Sequence, residues 1–242
     1  MGYFEEPLII CSWEYPNHQG VGCNAISPSD TENFLLLLQE LRSTPSTADL
    51  MLSAATSINP FTDASGMPST DVAAFAKVLD FIEIMNYDIW GSWSSSVGPN
   101  APLADACAPA ADQQGSAMSA VAAWTSAGFP KKKILLGVSG YGHGFSVPST
   151  AAFQNNSLAP YPPFNKTNQP EGDSWAGAAG PDVCGVQQPA GGERAYPNPT
   201  STKLISSQMN INSGVSLKMG SSLLLAYQQR ACTTDLTSVA RR

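Results

Sequence analysis

Four apolar runs recur between residues 8 and 138, each set apart from the next by a polar loop and most by a stretch of helical spacing. They are Leu8-Ile9-Ile10-Cys11, Leu50 to Ala55, Phe81 to Asp88 and Ile134 to Val138. Runs of this length that end in turn residues or polar groups read as strands. Between the first two, Phe34, Leu35, Leu37, Leu38 and Leu41 make a broad apolar stripe, which predicts a helix over 30–43. Ser29 and Glu32 have the spacing of a capping box at its start, and Pro45 follows its end. A second helix, capped by Ser69 or Thr70, carries Val72, Phe75, Ala76, Val78 and Leu79. A third covers roughly 114–127, with Gly128 placed as its left-handed stop.

Strand alternating with helix is the mark of an α/β chain: a parallel sheet in sequential order, right-handed crossovers, and three helices on one face. The pattern alone is compatible with an open doubly wound sheet or with part of a barrel. Beyond Phe145 the character changes. Residues 146–200 are dense in Pro, Gly, Ser and Asn, with Tyr161, Phe164 and Trp175 between them. The tail to Arg242 is rich in Ser and Thr, with one apolar patch at Leu223-Leu224-Leu225.

Composition narrows the partners. The 242 residues are 43% hydrophobic, enough for one domain with a core, and carry a net charge of −7. An acidic chain argues against nucleic acid and anionic membrane surfaces as partners, and no stretch is long and apolar enough to cross a membrane. The one basic run, Lys131-Lys132-Lys133, reads as a solvated turn before a strand. Five cysteines leave at least one unpaired. Cys11 reads as a buried thiol, and Cys23 and Cys107 could form a disulfide if the protein is exported. With two histidines and no Cys-x-x-Cys, no metal site and no cofactor is expected. Asn155-Asn156-Ser157 and Asn165-Lys166-Thr167 are glycosylation acceptor patterns. The first six residues are too short and too acidic for a signal peptide.

Candidate chemistry sits where the first strand ends. In Ser12-Trp13-Glu14-Tyr15-Pro16 a carboxyl is flanked by two aromatic residues, a partly desolvated setting that suits a general acid. On local evidence alone, a surface glutamate that merely follows a strand fits equally well. The polar loop of 17–28 falls at the carboxyl end of the strand, where barrels of alternating strands and helices carry their active sites.

The stretch ending in Glu14 resembles the D-x-x-D-x-D-x-E signature of glycoside hydrolase family 18, the chitinases and their relatives, which continues with Tyr-Pro. Met-Asn-Tyr-Asp-Ile-Trp-Gly, from Met85 to Gly91, resembles the family's sixth-strand motif, and Lys131 to Phe145 its seventh strand. The likeness, of fungal type, covers about residues 8–190. It implies a partial (β/α)8 barrel of TIM type over 1–145, matching strands four to seven. An insertion-lobe-like segment follows over 146–200, then an unmatched tail over 201–242. It further implies substrate-assisted, retaining hydrolysis of β-1,4-linked N-acetylglucosamine polymers in an extracellular protein. Residue by residue, Glu14 would protonate the glycosidic oxygen and Tyr87 would hold the acetamide carbonyl. Met85 and Asp88 would line the pocket, Tyr15 and Tyr141 would form walls, and Trp90 and Trp93 would offer faces to sugar rings. Met85 and Tyr141 also read as ordinary packing at strand ends.

The three aspartates of the signature fall on Pro7, Ile10 and Ser12. Ser12 is the degenerate catalytic position, because the family's aspartate there orients and stabilises the acetamide. The family's first three strands and its eighth find no counterpart, so a truncated barrel with impaired catalysis is expected. A catalytically silent chitin-binding or lectin-like relative, or a non-functional fragment, are the alternatives. The oligomeric state is not legible.

Overall fold

The computed structural model describes residues 8–20, 24–137, 139, 142–155 and 157–167, with the backbone of three further short strands at 182–183, 186–187 and 203–207. The chain divides into two compact units, 1–86 with 117–137 and 87–116 with 138–242. The long Ser- and Pro-rich loop of 87–116 groups with the later chain.

In the first unit the four apolar runs form β1 (Leu8–Cys11), β2 (Met51–Thr56), β3 (Phe81–Ile84) and β4 (Ile134–Leu136). They make one sheet in the order β1-β2-β3-β4, every pair parallel. Sequential order and parallel pairing are as the alternation predicts. The register sets Ile10 beside Ser53, Ser53 beside Phe81, and Glu83 beside both Ala55 and Leu135.

Helix α1 (Asp30–Ser43) has the predicted bounds, but the capping box does not form. Ser29 has helical backbone angles (φ −90°, ψ −2°) and no side-chain cap. A cap needs an extended residue there to turn its hydroxyl back on the helix. Helix α2 shrinks to one turn, Phe75–Val78, since Ser69 and Asp71 spend their side chains on local turns with Asp71 and Ala73. Helix α3 (Ala117–Ser126) ends as read, with Gly128 at φ 93°, where a β-carbon would come within 3.2 Å of that of Ala73.

One face of the sheet makes the core. Leu52, Ala54, Ile82 and Ile84 turn toward Phe34 and Leu38 of α1, Phe75 of α2, and Ala120 and Trp124 of α3. Two loop residues, Phe61 and Phe129, complete an aromatic cluster. Phe61 lies 4.6 Å from Phe75 and 5.1 Å from Trp124, edge-on to the latter. The Trp124 indole N–H donates to Ser57 O at 3.1 Å, so this large ring is buried without an orphaned donor.

Long basic side chains tie the amino ends of the strands together. Arg42 donates to Val78 O at 2.7 Å and Leu50 O at 2.6 Å, and pairs with Asp80 at 2.6 Å. Lys133 donates to Ala76 O and Leu79 O, each at 2.8 Å, serving the open carbonyls that end α2. The lysine triplet is therefore not wholly a solvated turn: Lys131 and Lys132 are exposed, while Lys133 is an anchor.

In the second unit β5 (Gly142–Ser146) is followed by α4 (Ser149–Ala152) and the antiparallel pair β6 (Phe153–Gln154) and β7 (Ser157–Leu158). β8 (Asp182–Val183) pairs with β9 (Val186–Gln187), and β10 (Lys203–Ser207) pairs antiparallel with β5. Val97, Phe145, Val147 and Ala152 form its small core, with Phe164 packed 4.8 Å from Phe145. Val97 from the long loop carries that segment into this unit, and its N–H bonds Pro162 O at 2.9 Å.

Candidate functional site

β1 ends at Cys11, and the chain runs extended through Ser12, Trp13 and Glu14 into a turn closed by His18 N–H to Tyr15 O at 3.0 Å. Ser12, Trp13, Glu14, Tyr15, His18, Asn24 and Ala25 line an open depression of about 450 Å³. Glu14 is half-buried and Ser12 exposed. Trp13 packs on the helix at 5.6 Å from Phe34, and Tyr15 lies against the backbone of Gly20.

The turn behind Glu14 is braced. Asn17 is buried in a left-handed conformation (φ 53°), which asparagine tolerates better than most residues. Its amide donates to Asp63 O at 2.6 Å, and its N–H reaches the Asp30 carboxylate at 3.2 Å. Asp30 also accepts from Ser27 N–H at 2.9 Å, so the first residue of α1 holds both ends of the loop. Asp63 sits in its own turn, and bonds from the Ser65 hydroxyl and then the Met67 and Ser65 amides hold its carboxyl below the usual range.

Met85 follows β3, half-buried, with its N–H on Thr56 O at 2.8 Å. It falls on the sheet side opposite the core, as does Ser12 in the alternation of β1. Cys11 alternates to the core side. It is a free thiol, and burial raises its pKa above 9.0.

In the second unit Tyr87 is half-buried and Asp88 turns left-handed (φ 57°). Buried Asn100 fixes that turn, accepting Asp88 N–H on Oδ1 at 2.7 Å and Ile89 N–H on its backbone O at 2.9 Å. Asn100 in turn donates to Ser139 Oγ at 3.1 Å. The Asp88 carboxylate meets His143 Nε2 at 2.7 Å, and Trp93 stands edge-on to that imidazole at 5.4 Å. Trp93 is 49% exposed, with one part of its ring lying on Gly91.

Trp90 does not fit the open-platform reading. It is 2% exposed and lies 5.3 Å from Tyr161, and a Cβ at Gly98 would overlap its indole. Its ring is a packing element of the loop. Tyr141 and Pro7 lie outside the described residues.

Two residues of this arrangement escaped the sequence reading. His143 had only its rarity as a signal, being one of two histidines in the sequence. Asn100 had none, as one polar residue in a long polar loop. Cys107 is disulfide-bonded, and its partner lies outside the described residues.

Glu14 thus stands just past the carboxyl end of β1, beside an open polar depression. Among the described residues lining the depression, Glu14 is the only carboxyl. Residues 11–211 match the model of glycosyl hydrolases family 18, and the chain belongs to that family. It is 55% identical to a chitinase-like effector of Moniliophthora roreri over 192 residues, 78% of this chain and 47% of the relative. A chitinase-like effector of Moniliophthora perniciosa is 57% identical over 74% of this chain and 42% of its own. The chain thus spans less than half the length of these two relatives. Among solved structures, the Rhizomucor miehei chitinase RmChi1 superposes with a TM-score of 0.64 at 30% identity, covering 82% of this chain and 51% of that one. These likenesses make the four parallel strands part of a (β/α)8 barrel.

Proposed function

We propose that this chain is a chitinase-like protein that engages β-1,4-linked N-acetylglucosamine polymers, with hydrolysis strongly impaired. The observation that carries the reading is the pairing of Glu14 with Ser12 at one open depression. In substrate-assisted hydrolysis the sugar's own acetamide is the nucleophile, and the protein supplies a general acid and a charge that stabilises the developing cation. Glu14 is the acid. Ser12 offers a hydroxyl but no charge, and loss of one preorganised electrostatic group costs on the order of 10²–10³ in rate. Tyr87, Asp88 and the open Trp93 are the binding groups, since the C–H face of a pyranose packs on an aromatic ring. Tyr15, Met85 and Tyr141 are walls.

A second reading, a catalytically silent chito-oligosaccharide binder, draws support from the same serine and from the chitinase-like effectors among the relatives. The two separate by measurement. Release of a chromophore from a chito-oligosaccharide glycoside, abolished by Glu14→Gln, supports slow hydrolysis. Retention on chitin without any Glu14-dependent release supports the silent binder. Neither release nor retention rejects both. An extracellular location accords with the Cys107 disulfide and with exposed Asn155 and Asn165 in acceptor patterns.

A further inference from the structure

We propose that Asn165 is an N-glycosylation site, the principal acceptor in this chain of an oligosaccharide passed from a lipid-linked pyrophosphate donor. Asn165-Lys166-Thr167 has the acceptor pattern, with a middle residue other than proline. All three residues are exposed. A bulky polar chain needs such a surface loop, because it cannot be packed inside a domain. The inference rests on the extracellular location proposed above, and the Cys107 disulfide accords with the oxidising compartment in which such a transfer takes place.

The loop is held from behind. Asn165 N–H donates to Ser146 O of β5 at 2.7 Å. Phe164, just before it, packs edge-on against buried Phe145 at 4.8 Å. Lys166, just after it, reaches Trp93 O at 3.4 Å and stands 5.8 Å over the Phe164 ring. These anchors use the backbone of Asn165 and the side chains of its neighbours, so a glycan on the Asn165 amide leaves them in place. The Thr167 hydroxyl and N–H both donate to Asn165 Oδ1, at 2.8 Å and 3.0 Å. The acceptor amide and the hydroxyl that the pattern requires therefore stand together at the surface.

Asn155-Asn156-Ser157 shares the pattern but not the setting. Asn155 is exposed too, yet it opens the turn between β6 and β7 in a left-handed conformation (φ 51°), and Ser157 is paired with Gln154 in the ladder. Asparagine is tolerated in that conformation because its side chain is short, an advantage that a linked oligosaccharide removes. In the transfer, Asn165 Nδ2 forms a bond to C1 of the oligosaccharide. The bond from C1 to the pyrophosphate oxygen breaks, and the proton lost by the amide leaves with the lipid pyrophosphate. Nothing is oxidised or reduced.

The full 242-residue chain, secreted from yeast behind a cleavable leader, is expected to run above its 25.4 kDa chain mass and to fall to it after treatment with peptide N-glycosidase. That enzyme turns the linked asparagine into aspartate, and peptide mass spectrometry is expected to find the change at residue 165 in most molecules. Asn165→Gln and Thr167→Ala are each expected to abolish most of the shift, and Asn155→Gln to leave it. Transfer precedes final folding, so chain retained in the cell is read in the same way. A bare Asn165 with the Cys107 disulfide intact would overturn this inference alone, and a bare Asn165 with Cys107 reduced would overturn the extracellular reading with it. More conversion at residue 155 than at 165, or a shift that survives Thr167→Ala, would also overturn the inference.

Discussion

Ser12 is where one side chain decides the most. On the proposed reading a carboxylate there would serve the substrate's acetamide, yet its neighbour in the alternation is Ile10, apolar and 50% exposed, with no group to hold the new charge. Ser12→Asp alone is therefore expected to raise chito-oligosaccharide turnover by less than about tenfold, well short of the 10²–10³ that a preorganised group supplies. Steady-state rates of the two proteins check this, and a hundredfold gain would show that the charge needs no partner. Asn17 works on the other side of Glu14. Asn17→Ala removes the 2.6 Å bond to Asp63 O and leaves a β-carbon residue at φ 53°, so a loss of about 2 kcal/mol is expected in denaturant unfolding. His143 and Asn100 act through Asp88, the one by its imidazole and the other by fixing the left-handed turn. Neither role is legible before the chain folds, because each depends on a residue 55 or 12 positions away.

At the scale of elements, the strands are short and their helices unequal, so the core leans on aromatic packing. Trp124 of α3 touches Phe61 and Phe129 and is fully buried. Trp124→Ala is expected to cost about 3–5 kcal/mol, read from the denaturation midpoint at constant slope. Cys11 lies on the same core side of β1, and its raised pKa leaves little thiolate at neutral pH. Its alkylation at pH 8 is expected to be slower than that of a free cysteine and to reach the free rate once the chain is unfolded. The periodicity of Phe34 to Leu41 specified α1 correctly because one helix face is enough to define it. The capping box failed because the loop holding Asn17 and Ser27 to Asp30 sets the entry angle of the helix. α2 fell to a single turn for a comparable reason, as side-chain turns at Ser69 and Asp71 compete with helical bonds.

For the molecule as a whole, Tyr161 in the second unit contributes to the alkaline limb of stability. Burial, with lesser contributions from Asp112 and Asp105, raises Tyr161 above 10.0. The unfolded phenol loses its proton first, so this contribution is intact below about pH 10 and disappears as pH rises through the folded value. Tyr161→Phe is expected to flatten the fall in melting temperature between about pH 9 and pH 11, and an unchanged slope would exclude the tyrosine as its source.

The sequence by itself determined the order and direction of four strands, the bounds of α1, the stop at Gly128 and the family. Each of these rests on local periodicity or on contiguous motifs: a run of apolar residues must be buried wherever it goes, and four such runs joined by crossovers leave little choice but a parallel sheet. Tertiary structure alone decided the rest. It enlisted Phe61 and Phe129 from loops into the core, made Lys133 an anchor, and grouped residues 87–116 with the later chain. It also closed Trp90 beneath Gly98 and Tyr161 while leaving Trp93 open. Two tryptophans three positions apart look alike in sequence. Which one can meet a ligand depends on what folds over it, and that is settled by residues distant in the chain.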